Sequence, residues 1–320
     1  MSGGTAQLEL GASIAAMAPT PQHPALGGLV DSLREKYGDC AVAVLFYGSC
    51  LRSGDPYDGL VDLYLIVDRY RCANSGWLKA AWNWLLPPNV FYVTLIHDHQ
   101  VLRCKYAVLS CSDLEKGTSQ RWFHSYLWGR FSQPTAIAWY RDGGARELVQ
   151  NALAQAALSF LNRVLPALPA QGPVASLWED GLRLSYRAEL RAEGSARAQQ
   201  LTHANLAYYQ AITRAAAPLL EHRVEITPAP DGDRYRAEIA APRRAFGRVG
   251  WAIRIAQGKL LSVARLLKAL FTFDGGLDYI AWKLERHSGV PVAIPDKVRR
   301  YPLIFVWGLF WKLYRRGVFR

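Results

Sequence analysis

Two short apolar runs constrain this chain more than any other feature. Ala41–Tyr47 reads AVAVLFY and Val61–Val67 reads VDLYLIV. Both are rich in β-branched and aromatic residues and lack helical spacing, so they predict strands. Gly48-Ser49 closes the first run, and Ser53-Gly54-Asp55-Pro56-Tyr57-Asp58-Gly59 separates the two with strong loop chemistry. A lone acid, Asp62, stands near the start of the second run.

That combination carries chemistry. Gly48 lets the backbone approach a phosphate chain closely, and the Ser49 hydroxyl can bond a phosphate oxygen. Asp62 can hold a magnesium ion that bridges such phosphates. Small residues after one strand and a carboxylate opening the next are how nucleotidyltransferases build their site. Those enzymes usually carry a second acid two places on, where this chain has Tyr64. An ordinary hairpin with a solvated Asp is the alternative. Asp68 shares the parity of Asp62 along an extended strand, but it lies too far along for one ion to join them and reads as a surface terminator.

A magnesium ion held by one carboxylate needs a second ligand from elsewhere. Leu184-Ser185-Tyr186-Arg187-Ala188-Glu189-Leu190-Arg191 offers Glu189, flanking an apolar residue with Arg191 on an expected helix. Taken alone, the pattern reads as a solvated Glu and Arg on a helix face. Lys105 opens an apolar run and reads alone as a surface lysine. Trp122–Arg130 reads as an aromatic helix packed in the core, its terminal Arg130 favourable to the helix dipole. His97-Asp98-His99 has no apparent third ligand and reads as solvated loop.

The remaining pattern predicts an α+β chain. Helices are expected over 29–37, 77–86, 147–165, 174–192 and 201–220, with strands over 91–96 and 105–110 and a hairpin over 222–239. Four regions follow: a loose N-terminus over 1–27; a mixed sheet with flanking helices, of nucleotidyltransferase type, over 28–138; a mainly helical, winged-helix-like region over 139–241; and a basic amphipathic region over 242–320.

Charge supports the last boundary. Residues 241–320 hold 16 Lys+Arg against four acids (Asp274, Asp278, Glu285, Asp296), which accounts for the whole net charge of +12. Such asymmetry asks for an anionic partner. Its block Tyr301–Trp311 is nearly unbroken apolar sequence, which suits an acyl boundary better than a nucleic-acid groove. Lys297, Arg299, Arg300, Trp307, Trp311, Lys312, Arg315 and Arg316 are therefore expected to dock on an anionic membrane surface, with no nucleic-acid partner. A helix packed on its own domain with a solvated basic face is the alternative. No apolar run reaches the length needed to span a bilayer. The first Lys or Arg is Arg34, so neither a basic signal segment nor an arginine-rich transit peptide is expected. The five cysteines show no CxxC pair and read as free thiols in a reducing compartment.

In this order the motifs resemble the mitochondrial-type phosphatidate cytidylyltransferases, the peripheral CDP-diacylglycerol synthases of the translocator-maintenance family. The resemblance rests on Tyr47-Gly48-Ser49, the strand from Asp62 with no second acid, and Lys105-Tyr106. It continues through Trp122, Tyr126, Gly129-Arg130 and Pro134, then Leu184-Ser185-Tyr186, Glu189 and Arg191, and a pattern of Lys268, Thr272, Gly275, Tyr279 and Lys283. Ala188-Glu189 stands where the family has Gly-Asp. The resemblance implies CMP transfer from CTP to phosphatidic acid with release of pyrophosphate. It implies catalytic Asp62, Glu189 and Lys105, with Mg²⁺ on Asp62 and Glu189. Tyr47, Gly48, Ser49, Lys105, Arg130, Ser185, Tyr186 and Arg191 would bind the nucleotide. The implied location is the cytoplasmic face of a bacterial inner membrane, with the matrix side of the mitochondrial inner membrane as the alternative. Two rival readings are a nucleotidyltransferase acting on a soluble acceptor and a catalytically degenerate membrane-bound scaffold.

Overall fold

A computed structural model describes residues 3–18, 23–73, 88–189, 194–272 and 295–300. The chain opens with helix α1 (Gly3–Met17) and helix α2 (Pro24–Tyr37), the latter begun by Pro24 at its first turn and stopped at Gly38, whose φ is 52°. Strand β1 (Ala41–Tyr47) runs into the one-turn helix α3 (Ser49–Ser53), and β2 (Val61–Val67) into α4 (Tyr70–Ala73). Strands β3 (Asn89–His97) and β4 (Gln100–Ser110) form a hairpin, followed by helix α5 (Cys111–Thr118), the short helix α6 (Trp128–Phe131) and strand β5 (Ala136–Tyr140). Beyond them lie α7 (Gly143–Val164), β6 (Gln171–Pro173), α8 (Val174–Arg187), α9 (Gly194–Ala204), α10 (Leu206–Ala216), β7 (Arg223–Thr227), β8 (Arg234–Glu238), the long helix α11 (Ala241–Thr272) and α12 (Asp296–Arg300).

The architecture is α+β. A mixed five-stranded sheet has the order β3-β4-β2-β1-β5, and a three-stranded sheet has the order β6-β8-β7. In the larger sheet β1 pairs antiparallel with β2 and β5, while β2 and β4 run parallel. Both faces of β1 and β2 are covered, which is why their sequences are almost continuously apolar. Leu45, Tyr64, Ile66 and Leu109 face one core with Trp128, Phe160 and Trp178. Val44, Phe46, Leu63, Leu65 and Val67 face the other, with Leu26, Leu29 and Leu33 of α2. The first of these cores continues without a gap through Trp178, stacked between Phe160 and Tyr209 at 4.6 and 4.4 Å, into the helical part beyond residue 139.

Several expectations are corrected. Residues 3–17 are not loose. They form α1, whose Leu10 and Ile14 are buried, and Gly11 lets it lie so close to α7 that a Cβ there would meet the Gln150 carbonyl at 2.2 Å. Residues 122–127 are irregular, ending in turns at 125–127, and the helix spans Trp128–Phe131 alone. The reason is local competition for backbone groups. His124 Nδ1 accepts the Tyr126 amide at 3.1 Å, and the Phe123 carbonyl accepts from Arg254 Nε at 2.6 Å. The helix expected over 201–220 breaks at Asn205, whose Nδ2 takes the Leu201 carbonyl at 2.9 Å. Cys40 and Cys72 are joined in a disulfide across 32 residues, while Cys50, Cys104 and Cys111 remain thiols. Antiparallel pairing of Ala41 with Val67 brings the start of β1 beside the chain leaving β2, a proximity that cysteine spacing does not reveal. The helix expected over 77–86 falls outside the described residues.

Helix α11 packs along the helical part through one face. A Cβ at Gly247 would lie 2.6 Å from Pro166 Cβ, and one at Gly258 would lie 2.2 Å from the Ala188 carbonyl oxygen. Between them Trp251 Nε1 donates to the Arg163 carbonyl at 2.7 Å, and Arg254 is 2% exposed among Phe123, Trp251 and Trp128. Among the described residues no helix is long and apolar enough to cross a membrane.

Candidate functional site

Strand register builds one wall of the site. Tyr47 pairs with Asp62 across β1 and β2, and Asp62 pairs with Lys105 across β2 and β4. Alternation puts Tyr47 with Leu45, Asp62 with Tyr64 and Lys105 with Leu109, so all three side chains share the sheet face that looks toward α7 and α8. They stand side by side across three adjacent strands, and Lys105 Nζ lies 3.0 Å from Asp62 Oδ1. Gly48 follows with φ 94°, and a Cβ there would sit 2.8 Å from Asp62 Oδ2, so both backbone and space demand glycine. Tyr64, where a second acid would stand, is fully buried between Tyr47 and Phe131, with ring centroids 5.3 and 4.9 Å away.

The facing wall comes from α6 and the end of α8. Arg130 donates to Tyr47 Oη at 3.1 Å and to Glu189 Oε2 at 3.3 Å, with its guanidinium 4.7 Å over the Tyr126 ring. Tyr186 donates to Gln133 Oε1 at 3.0 Å, and Gln133 in turn donates to the Gly129 carbonyl at 2.9 Å. Gly258 of α11 abuts Ala188 and so backs the segment that presents Glu189. Arg265 of α11 lies 4.1 Å over the Tyr126 ring.

Between the walls is a cavity of about 320 Å³ lined by Tyr47, Gly48, Ser49, Asp62, Lys105, Arg130, Tyr186 and Glu189, together with Arg52, Gln133, Pro134, Arg197 and Leu201. That volume suits a small ligand. Ser185 does not line it. Ser185 is buried against α6, where a Cβ on Gly129 would meet its hydroxyl oxygen at 2.3 Å. Arg191, Trp307, Trp311, Lys312, Arg315 and Arg316 lie outside the described residues, as do the side chains of Arg299 and Arg300. Lys297 is exposed on α12. Asp68 sits at the far end of β2, bonded to Arg141 at 2.8 Å. His97 and Asp98 pair at 3.4 Å, and Asp98 and His99 form a hairpin tip with φ of 49° and 61°.

Protonation follows from burial and charge. Burial, reinforced by Asp62, pushes the Tyr47 hydroxyl up, so it stays protonated and can donate to an anion. Burial also pushes Tyr126 up, but Arg130 and Arg265 outweigh it and bring the phenol below its usual range. Burial, again with Asp62, pushes Cys50 up to about 11, which keeps the thiol beside Ser49 protonated and unreactive.

Arg52, Gln133 and Arg197 were not legible as site residues. A basic residue one turn after Gly48-Ser49 is the signal that points to Arg52. Arg197 lies in a stretch of Ala, Arg and Gln with no local mark. In sequence comparisons no protein-family profile matches the chain, and no curated protein matches it.

Proposed function

We propose that the chain is a peripheral phosphatidate cytidylyltransferase, transferring CMP from CTP to phosphatidic acid with release of pyrophosphate. The observation that carries this reading is the meeting of Asp62 and Glu189, 127 positions apart, in one cavity with Gly48, Ser49, Lys105 and Arg130. In this reading the five-stranded sheet is a nucleotidyltransferase core, and the helices with the β6-β8-β7 sheet form a winged-helix-like module.

Two carboxylates without a third match Mg²⁺, which takes few protein ligands and completes its shell with water and phosphate oxygens. Among the described residues no group of three or more His, Cys, Asp or Glu side chains converges, so phosphate would have to supply part of the coordination. Glycine at 48 lets the turn lie against the Asp62 carboxylate, since a Cβ there would sit 2.8 Å from Oδ2, and so keeps the turn's backbone beside the proposed ion position. Asp62 and Glu189 would hold the ion, which when bound supplies charge neutralisation to the phosphates.

The chain's own part is positioning. Gly48 admits the triphosphate and Ser49 donates to it, with Lys105 and Arg130 exchanging their carboxylate partners for phosphate oxygens. An oxygen of the phosphatidate phosphate attacks the α-phosphorus of CTP in line, the bond to the β-phosphate oxygen breaks, and pyrophosphate leaves with that electron pair. A phosphate monoester is already a competent nucleophile, so no strong general base is required, and charge stabilisation dominates.

Membrane docking is supported by α11. Phe246, Val249, Ile253, Leu260 and Val263 form an exposed apolar stripe, Phe246 at 76% and Leu260 at 70% exposure, on the face opposite Gly247, Trp251 and Gly258. Arg248 and Lys259 are exposed on the same helix, as an interfacial helix on anionic lipid requires. The excess of Lys and Arg over residues 241–320 suits an anionic leaflet, and the proposed place of action is the cytoplasmic face of a bacterial inner membrane.

The test mixes the full chain with CTP, Mg²⁺ and phosphatidate-containing liposomes and follows pyrophosphate release. Release that depends on phosphatidate supports the proposal. Release only with a soluble phosphorylated acceptor assigns a different substrate, and none with any acceptor leaves a non-catalytic scaffold.

A further inference from the structure

Among the described residues, the charges lining the cavity do not balance. Asp62 is matched by Lys105 at 3.0 Å, and Glu189 by Arg130 at 3.3 Å. Two more cations, Arg52 from α3 and Arg197 from α9, line the same cavity. Neither has a carboxylate partner among the described residues. Arg52 Nη1 donates to the Gly48 carbonyl at 2.8 Å, which anchors the guanidinium beside the Gly48-Ser49 turn. The two arginines reach the cavity from different walls, α3 following β1 and α9 following α8.

Burial, and next the like charge of Arg197, lower the Arg52 guanidinium below its ordinary value. Two partly buried cations near one another are held against their mutual repulsion, and an anion between them would relieve it. The guanidinium fork matches phosphate oxygens in bidentate geometry, and two forks suit a doubly charged group better than a carboxylate.

We infer that Arg52 and Arg197 form a second phosphate-binding position in this cavity, taking the dianion of a phosphate monoester or a terminal phosphate. The chemistry is shared by two sources, the acceptor's phosphate and the end of the nucleotide triphosphate. Naming those sources rests on the nucleotidyltransferase reading, but the anion site itself does not.

The experiment measures, by calorimetry on the full chain, the affinity for inorganic phosphate, CTP and short-chain dioctanoyl phosphatidate. Wild type is compared with Arg52→Met, Arg197→Met and Arg197→Lys, each checked for native thermal unfolding. Loss of one charge-assisted contact weakens the affected ligand by about tenfold or more, and Arg197→Lys recovers part of that because it keeps the charge without the fork. A loss confined to phosphatidate assigns the position to the acceptor, and a loss on CTP assigns it to the nucleotide. If Arg52→Met fails to fold, Arg197→Met decides alone. Undiminished binding of all three ligands in Arg197→Met overturns the inference, as does a wild type that binds none of them. Phosphatidate-dependent turnover with unaltered binding in the variants removes this position and leaves the proposed function standing. Arginine-dependent phosphate binding without any turnover removes the proposed function and leaves this position standing.

Discussion

The two walls of the cavity are built by different means. The strand wall holds Tyr47, Asp62 and Lys105 by backbone register, so each residue's place follows from the strand it occupies and its parity within it. The helical wall holds Arg130 and Glu189 through long-range packing: α6 against α8 where Gly129 meets Ser185, and α8 against α11 where Ala188 meets Gly258. A wall set by register is rigid and local in origin. A wall set by packing depends on contacts made far along the chain, and it is the one that a distant change can displace.

The largest expected effect tests the strand wall. Tyr64→Asp introduces an acid two places after Asp62, but it puts a carboxyl in a fully buried site between two aromatic rings. The expected cost is about 3–5 kcal/mol of unfolding free energy, measured by urea denaturation, with no gain in turnover. A stable variant with raised activity would make Tyr64 a replaced ligand instead of a core residue.

Acid should next act on the turn segment that leads into the helical wall. Burial, reinforced by Arg265, lowers His124 to about 4. The unfolded chain, with an ordinary histidine, binds the extra proton first as pH falls. Stability from this group is therefore present above about pH 6.5 and is lost as pH drops toward 4, by up to about 3 kcal/mol. In His124→Gln the decline in stability over that window should flatten. An unchanged pH profile would show that other groups govern the acid response.

The smallest stability effect separates the walls most cleanly. Gly258→Ala puts a methyl group against the Ala188 carbonyl, so α11 or the Glu189 segment must shift. The expected loss of stability is about 1–3 kcal/mol, with a disproportionate fall in kcat because Glu189 moves while Asp62 stays. Loss of stability alone, with kcat retained, would show that α11 does not position Glu189.

The same contrast explains what could be read in the sequence. β1 and β2 appear at their observed bounds because apolar runs with sharp turns report strands directly. Asp62 and Gly48-Ser49 stand out because one short loop joins the two strands that carry them, and antiparallel pairing then sets them side by side. Glu189 was marked only by a short motif, and its pairing with Arg130 depends on the irregular stretch 122–127, which reads as helix. That stretch is irregular because Arg254, over a hundred residues later, takes the Phe123 carbonyl. Arg197 was invisible for the same reason, as nothing local marks a residue whose role comes from the wall it faces. The N-terminal helix α1 was missed because its Gly- and Ala-rich sequence resembles a linker, while the close approach to Gln150 that uses such small residues is a tertiary fact.

The proposed reaction requires one carboxylate from each wall. The direct measurement is pyrophosphate release from CTP with phosphatidate liposomes by wild type, Asp62→Asn, Glu189→Gln and the double variant. Each single variant should lose about a hundredfold or more in kcat while liposome binding persists, and the double variant should fall little further, because groups acting as a unit are not additive. Full activity in Glu189→Gln, beside an inactive Asp62→Asn, would contradict the account by leaving the helical wall outside the chemistry.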